Sequence, residues 1–134
     1  MASTSMMVSA STEPRRGEVW LTSFGSARAG QPGKNRPAIV VSSDQLSAGS
    51  VAGLIVVVPL SSTVIASPIR PEVAGVEGID RPSRAICRAV RGMARSRLLR
   101  RLGTLTPETL AEVERSLALI LNLPLPGSSL RRKG

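Results

Sequence analysis

Histidine and tyrosine are missing altogether from this chain of 134 residues, and cysteine occurs once. Without histidine no Ser-His-Asp or Cys-His arrangement can form, and every metal site that needs an imidazole is excluded. The single Cys87 cannot close an internal disulfide, which places the chain in a reducing cytoplasm. Set between Ile86 and Arg88 in an apolar run, it reads as a buried structural thiol rather than a nucleophile. With one cysteine and nine scattered acids, neither a protein-built metal centre nor any cofactor is expected. Aromatic rings number only two, Trp20 and Phe24. The core must therefore be aliphatic, and the stacking platforms of many single-strand RNA binders are absent. No apolar run approaches membrane-spanning length; Leu54 to Leu60 is far too short.

The length suits one domain with one core. Residues 1–14 are small and polar, with neither the basic nor the apolar region of a signal peptide, and read as a disordered leader. Residues 125–134 read as a flexible basic tail, leaving 15–124 as the domain.

Charge, by contrast, is abundant and one-sided. Eighteen Lys/Arg against nine Asp/Glu give +9, and Arg81 to Arg101 holds eight arginines with no acid. Such an excess points to a polyanion, nucleic acid before a membrane surface. A solvated arginine-rich face is the alternative.

Strand patterns fill the first two-thirds. Glu18 to Phe24 alternates, with Val19, Leu21 and Ser23 opposite Trp20, Thr22 and Phe24. Arg36 to Ser42 and Gly53 to Leu60 are apolar, β-branched runs suited to strands covered on both faces. Between them, SSDQLSAGS holds one helical turn at most. Ile69 to Val73 carries Pro71 and reads as a short edge strand. Residues 83–98 fit a helix or a strand ending near Gly92. A helix follows, with Thr106 as N-cap, Pro107 at its first position, and Leu110, Val113, Leu117, Ile120 and Leu121 on one face. Pro124 and Pro126 end it. The expected fold is mainly β with helices: five or six short strands in a small curled sheet or barrel, with the C-terminal helix packed on it.

Two polar clusters then come together. If the two apolar strands pair antiparallel, Lys34-Asn35-Arg36 at the start of one lies beside Ser61-Ser62-Thr63 at the end of the other. Arginine offers planar, bidentate, permanently charged donors, so this rim is a candidate phosphate site. The alternative is that the hydroxyls simply form a turn. The glycines at 25, 30 and 33 match no P-loop or dinucleotide fingerprint.

In order, RRGEVWLTSF (15–24), GKNRPAIVVSSD (33–44), IVVVPLSS (55–62) and RSRLLRRLGTLTPETLAEVERSLALILNL (95–123) resemble the MazF/PemK toxins. The resemblance implies a PemK-like β-barrel with a C-terminal α-helix, usually a homodimer, in which residues 83–91 form a strand followed by a short helix. It also implies a metal-independent, sequence-selective endoribonuclease, neutralised by a MazE-like antitoxin. Such enzymes cut single-stranded RNA (mRNA, tRNA or rRNA) to 2′,3′-cyclic phosphate and 5′-OH ends. By that likeness Arg36 and Ser61 are the catalytic positions, Ser61 standing where a threonine is usual. Gln31, Lys34, Asn35, Ser62, Thr63 and Arg88 fall in the RNA-contacting regions. Gln31 replaces a frequent glutamate, and Arg88-Ala89 a frequent Asp-Gln. With a pKa above about 12, arginine is a poor base near neutrality. Arg36 is therefore assigned to charge stabilisation, and the base is not identified. Two other classes stay open: a CcdB-like toxin that binds gyrase on the same barrel, and an RNA-binding module without catalysis.

Overall fold

The computed structural model describes residues 13–25, 34–49 and 53–125. Most of the expected leader and tail, and Gln31, lie outside the described residues. The elements are β1 (Glu18–Gly25), β2 (Lys34–Val40), α1 (Asp44–Gly49), β3 (Leu54–Ser61), β4 (Glu72–Val73), β5 (Ser83–Ala85), β6 (Arg91–Ala94), β7 (Leu98–Thr104) and α2 (Pro107–Leu121). The strands form an antiparallel sheet in the order β4-β5-β3-β2-β1-β7, with β6 joining it on β3.

The central strands are apolar on both faces because both faces are covered. Val19, Ile39, Val58 and Leu60 point to one side, where they meet Val73, Ile79, Ala85, Cys87, Leu105 and Val113 of α2. Trp20, Ala38, Val40, Ile55 and Val57 point to the other side and meet Met93 and Leu98. Each such aliphatic side chain contributes about 1.5–3 kcal/mol by leaving water. The curl that closes the second face comes from β3, which changes partner along its length. Leu54 to Val57 pair with β6, and Leu60 and Ser61 pair with β5. Pro59 lies at the changeover, where a missing N–H is tolerated, and its carbonyl still accepts Ile86 N at 2.9 Å.

Helix α2 begins as its sequence predicts. The Thr106 side chain caps it by accepting Thr109 N at 3.2 Å, and Pro107 follows. It ends at Asn122 in the left-handed conformation (φ 59°), two residues before Pro124. Val113 is fully buried, and Leu110, Leu117 and Ile120 pack on the same core. Leu121, expected on that face, is instead 52% exposed; the small residues Ser116 and Ala118 are buried in its stead.

Five expectations require correction. The segment expected to hold one helical turn at most forms α1, whose six residues exceed one turn. Seven strands are described rather than five or six. The Ile69–Val73 strand shortens to Glu72–Val73, still at the edge, with Pro71 just outside it. Residues 83–91 do not run as one strand, because a 3₁₀ turn at Cys87–Ala89 divides β5 from β6. The cause is a change of side: Cys87 belongs to the core under α2, while Met93 belongs to the opposite core. Six residues apart, the two would share one face in a continuous strand. The short helix expected next is only a 3₁₀ turn, Arg95–Arg97, and it leads into β7.

Candidate active site

Strands β2 and β3 part where their prolines stand. Their ladder runs Val40↔Val57, Ile39↔Val58, Ala38↔Pro59, and stops there. The next residue of β2 is Pro37, which has no N–H to continue it. Lys34 to Pro37 therefore pair with β1 alone. Beyond the last pair, an extended register would set Pro37 against Leu60 and Arg36 against Ser61. A cleft of about 320 Å³ occupies this fork. Asn35, Arg36 and Pro37 line one wall, and Leu60, Ser61, Ser62 and Thr63 another. The two clusters paired from the sequence thus share one cavity.

Arg36 is half-buried, and among the described residues its guanidinium has no hydrogen bond or ion pair. Ser61 Oγ accepts Thr63 N at 3.2 Å and lies 3.2 Å from Thr63 Oγ1. The hydroxyls do form a turn, as the alternative reading held, and that turn holds the Ser61 side chain beside Arg36 in the cleft wall. If Thr63 Oγ1–H donates to Ser61, the Ser61 proton stays available to an incoming acceptor. This wall can grip a tetrahedral anion through charge-assisted donors.

A third wall was not anticipated. Ile79, Asp80, Arg81 and Ser83 complete the cleft. The basic run hinted at Arg81 alone; nothing in the local sequence marked Asp80. Long-range packing delivers them. Gly78 (φ 106°) lies against β7 so closely that a Cβ on it would meet Leu102 O at 2.5 Å, and one on Gly103 would meet Glu77 O at 2.4 Å. Glu77, only 2% exposed, ties the same turn to the start of α2. Its carboxylate accepts Ala74 N at 2.8 Å and Thr106 N at 2.7 Å. Burial pushes this carboxyl upward, but the bonds from Thr106 and Ala74 N–H and from the Thr109 and Thr106 hydroxyls outweigh it, leaving it below the ordinary value. Ile79 is buried next to this anchor, and Asp80 and Arg81 follow it into the open.

Other expected residues lie outside this constellation. Lys34 is exposed at the start of β2 and does not line the cleft. Arg88 is exposed on the Cys87–Ala89 turn, which packs against α2 and β3, and is not brought to the cleft either. The arginine run divides by use. Arg84 donates to Arg70 O at 2.9 Å and faces Glu72 at 3.9 Å. Arg91 lies 5.6 Å from the Phe24 ring centre, Arg95 5.1 Å from Trp20, and Arg101 3.3 Å from Glu18 Oε2. Both aromatic rings thus serve as platforms for the protein's own cations. Cys87 is buried as expected; burial pushes its thiol up to about 11 against an opposing bond from Ser116. Among the described residues no group of three or more Cys, Asp or Glu side chains could hold a metal ion, and no helix is long and apolar enough to cross a membrane.

A branched, curled antiparallel sheet with a capping C-terminal helix, opening at one fork onto an arginine and a hydroxyl turn, defines a small β-fold with a polar cleft at its rim. Residues 15–121 match the model of the PemK-like, MazF-like toxins of type II toxin–antitoxin systems, and the chain belongs to this family. It is 33% identical over 114 residues to the endoribonuclease MazF9 of Mycobacterium tuberculosis, covering 81% of this chain and 97% of that protein. A chain of the MazE–MazF structure from Deinococcus radiodurans superposes with a TM-score of 0.67 at 27% identity, over 83% of this chain and 98% of the solved one. A mycobacterial endoribonuclease solved with its cognate antitoxin shares the fold, with a TM-score of 0.69 at 22% identity, over 84% and 99% of the two chains.

Proposed function

We propose that this chain is the toxin of a toxin–antitoxin pair, an endoribonuclease that cuts single-stranded RNA in the cytoplasm. The observation that carries the reading is the Arg36 guanidinium, unpartnered among the described residues, facing the Ser61–Thr63 hydroxyl turn across one cleft. In the reaction, the ribose 2′-OH attacks the adjacent phosphorus, and negative charge accumulates on the nonbridging oxygens of a crowded phosphorane. A guanidinium held in place before that charge develops stabilises the transition state more than the ground state. Ser61 donates a hydrogen bond to the same phosphate. Asn35, Ser62 and Thr63 line the strand's path through the cleft, while Lys34, and Arg88 on a separate surface, reach flanking phosphates. Bond cleavage leaves a 2′,3′-cyclic phosphate and a 5′-OH, with no step assigned to a metal.

The endoribonuclease relatives, one of them solved with its cognate antitoxin, support the same reading. The family likeness adds a homodimer and a MazE-like partner. A net charge of +9 would attract an acidic antitoxin segment strongly, offsetting part of the cost of ordering it. The test is direct. Purified protein mixed with a mixed-sequence RNA in EDTA should produce discrete cuts with cyclic-phosphate ends, and Arg36→Ala should remove them. Intact RNA at stoichiometric folded wild type would overturn the reading. Gyrase inhibition indifferent to Arg36→Ala would transfer the chain to the CcdB-like class.

A further inference from the structure

We infer that Asp80 is the proton acceptor of this cleft, the group that takes the proton from the attacking ribose 2′-OH; the inference rests on the ribonuclease reading above. A 2′-OH is a poor nucleophile until its proton begins to leave, so the reaction calls for a base at that oxygen. The chain narrows the choice by what it lacks. It has no histidine. Arginine holds its proton at neutral pH, and hydroxyls are far too weak as bases. Cys87 is buried, with its thiol raised to about 11, and is not among the residues lining the cleft. Lys34 does not line the cleft, so among the lining residues a carboxylate is what remains.

Most described carboxylates are already employed. Glu18 accepts from Arg15 N and from the Trp20 indole, each at 2.9 Å. Asp44 accepts Arg16 N at 2.7 Å, and Glu114 binds the Arg16 side chain. Glu72 faces Arg84, and Glu77 is enclosed in its knot of bonds. Asp80 differs on two counts. It is the sole carboxylate among the residues lining the Arg36–Ser61 cleft, and among the described residues it has no hydrogen bond or ion pair. The fold also builds its position with care: Gly78 and Gly103 in backbone contact, and buried Ile79 immediately before it. An exposed aspartate held by so much packing, yet contributing no bond to it, is placed for something outside the protein.

The step balances simply. As the O2′–P bond forms, the 2′-OH proton passes to an Asp80 carboxylate oxygen; as the P–O5′ bond breaks, the departing oxygen takes a proton from solvent water. Arg36 holds the charge between them, and Asp80 then releases its proton to solvent, so no co-reactant is consumed.

Single-turnover cleavage by the full chain of an RNA oligonucleotide bearing its mapped cut site, followed from acidic to neutral pH, tests the assignment. Wild type should show a rate that rises with pH along an acid limb. Asp80→Asn should lower the maximal rate by about 10²-fold or more, erase that limb, and change the half-saturating RNA concentration by less than about twofold. Asp80→Glu should keep the limb at a reduced rate. A limb that persists in Asp80→Asn overturns the assignment, as does a loss confined to RNA affinity or cut-site choice, which would make Asp80 a base-reading residue. If Asp80→Asn does not fold, Asp80→Glu decides: wild-type rate in that variant, with the carboxylate displaced by a methylene, counts against it. Cleavage lost in Arg36→Ala but unchanged in Asp80→Asn sinks the inference alone, whereas no cleavage by wild type removes the ribonuclease reading as well.

Discussion

Glu77 and Asp80 are three residues apart and carry the same chemistry, yet the fold treats them in opposite ways. Glu77 is buried, and its oxygens are taken up by the backbone of the 74–77 turn and the start of α2. Asp80 is exposed in the cleft and has no partner among the described residues. The arginines divide along the same line. Arg84, Arg91, Arg95 and Arg101 are paired with carboxylates, carbonyls or rings, while Arg36 faces the cleft unpaired among the described residues. The difference separates charge that maintains the architecture from charge the architecture leaves free. Substitutions in the two groups should accordingly move different observables.

The sharpest break comes from Arg36→Ala. Removing one preorganised donor at a developing anion costs about 10²–10³ in rate, or about 2.7–4 kcal/mol of transition-state stabilisation. Because no described residue relies on this guanidinium, thermal melting should shift by less than ~2 °C, a change small beside that from a lost core contact. Single-turnover kinetics and calorimetry on one preparation check both halves. A large loss of stability would place Arg36 among the architectural charges and dissolve the distinction.

Glu77→Gln should show the reverse. An amide keeps one acceptor but turns a donor toward the N–H of Ala74 or Thr106, at a cost of about 2–3 kcal/mol. Melting should fall by roughly 10 °C, with the cleavage rate per folded molecule nearly unchanged at low temperature. The pH dependence follows from the depressed carboxyl. A group whose folded pKa lies below its unfolded value stabilises fully above the unfolded value, and that contribution disappears as pH falls through the folded one. Wild-type stability should therefore decline below the ordinary glutamate range, and Glu77→Gln should flatten that part of the curve. Denaturant melts on the acid side of neutrality read it directly.

The same contrast explains what the sequence could reveal. Strands β2 and β3 were legible because burial on both faces demands unbroken apolar runs, and their antiparallel pairing already placed Arg36 beside Ser61. The cap of α2 was legible because Thr106 and Pro107 act within one turn. Residues 83–104 were not, since their path depends on Cys87 and Met93 entering different cores, and eight arginines across 81–101 mask any alternation. Asp80 was beyond reach for a similar reason. It reaches the cleft through a contact between Gly78 and Gly103, 25 residues apart, which no local period records.

The smallest effect is expected at Ser61, where architecture and chemistry share one hydroxyl. Its Oγ accepts Thr63 N, so it helps form the turn, and on our reading its proton also reaches the phosphate. Ser61→Ala should remove both bonds and slow cleavage about tenfold, roughly 1.4 kcal/mol for one neutral donor, with a stability loss below about 1 kcal/mol. Ser61→Thr should separate the two roles. It keeps the hydroxyl and adds a methyl that narrows χ1. The side chain at 61 is only half-buried at the cleft wall, so the methyl has an open side to occupy. Cleavage should then stay within about threefold of wild type. If Ser61→Ala matched wild type while Arg36→Ala was inactive, the hydroxyl would belong to the turn alone, and charge in the cleft would have to act without it.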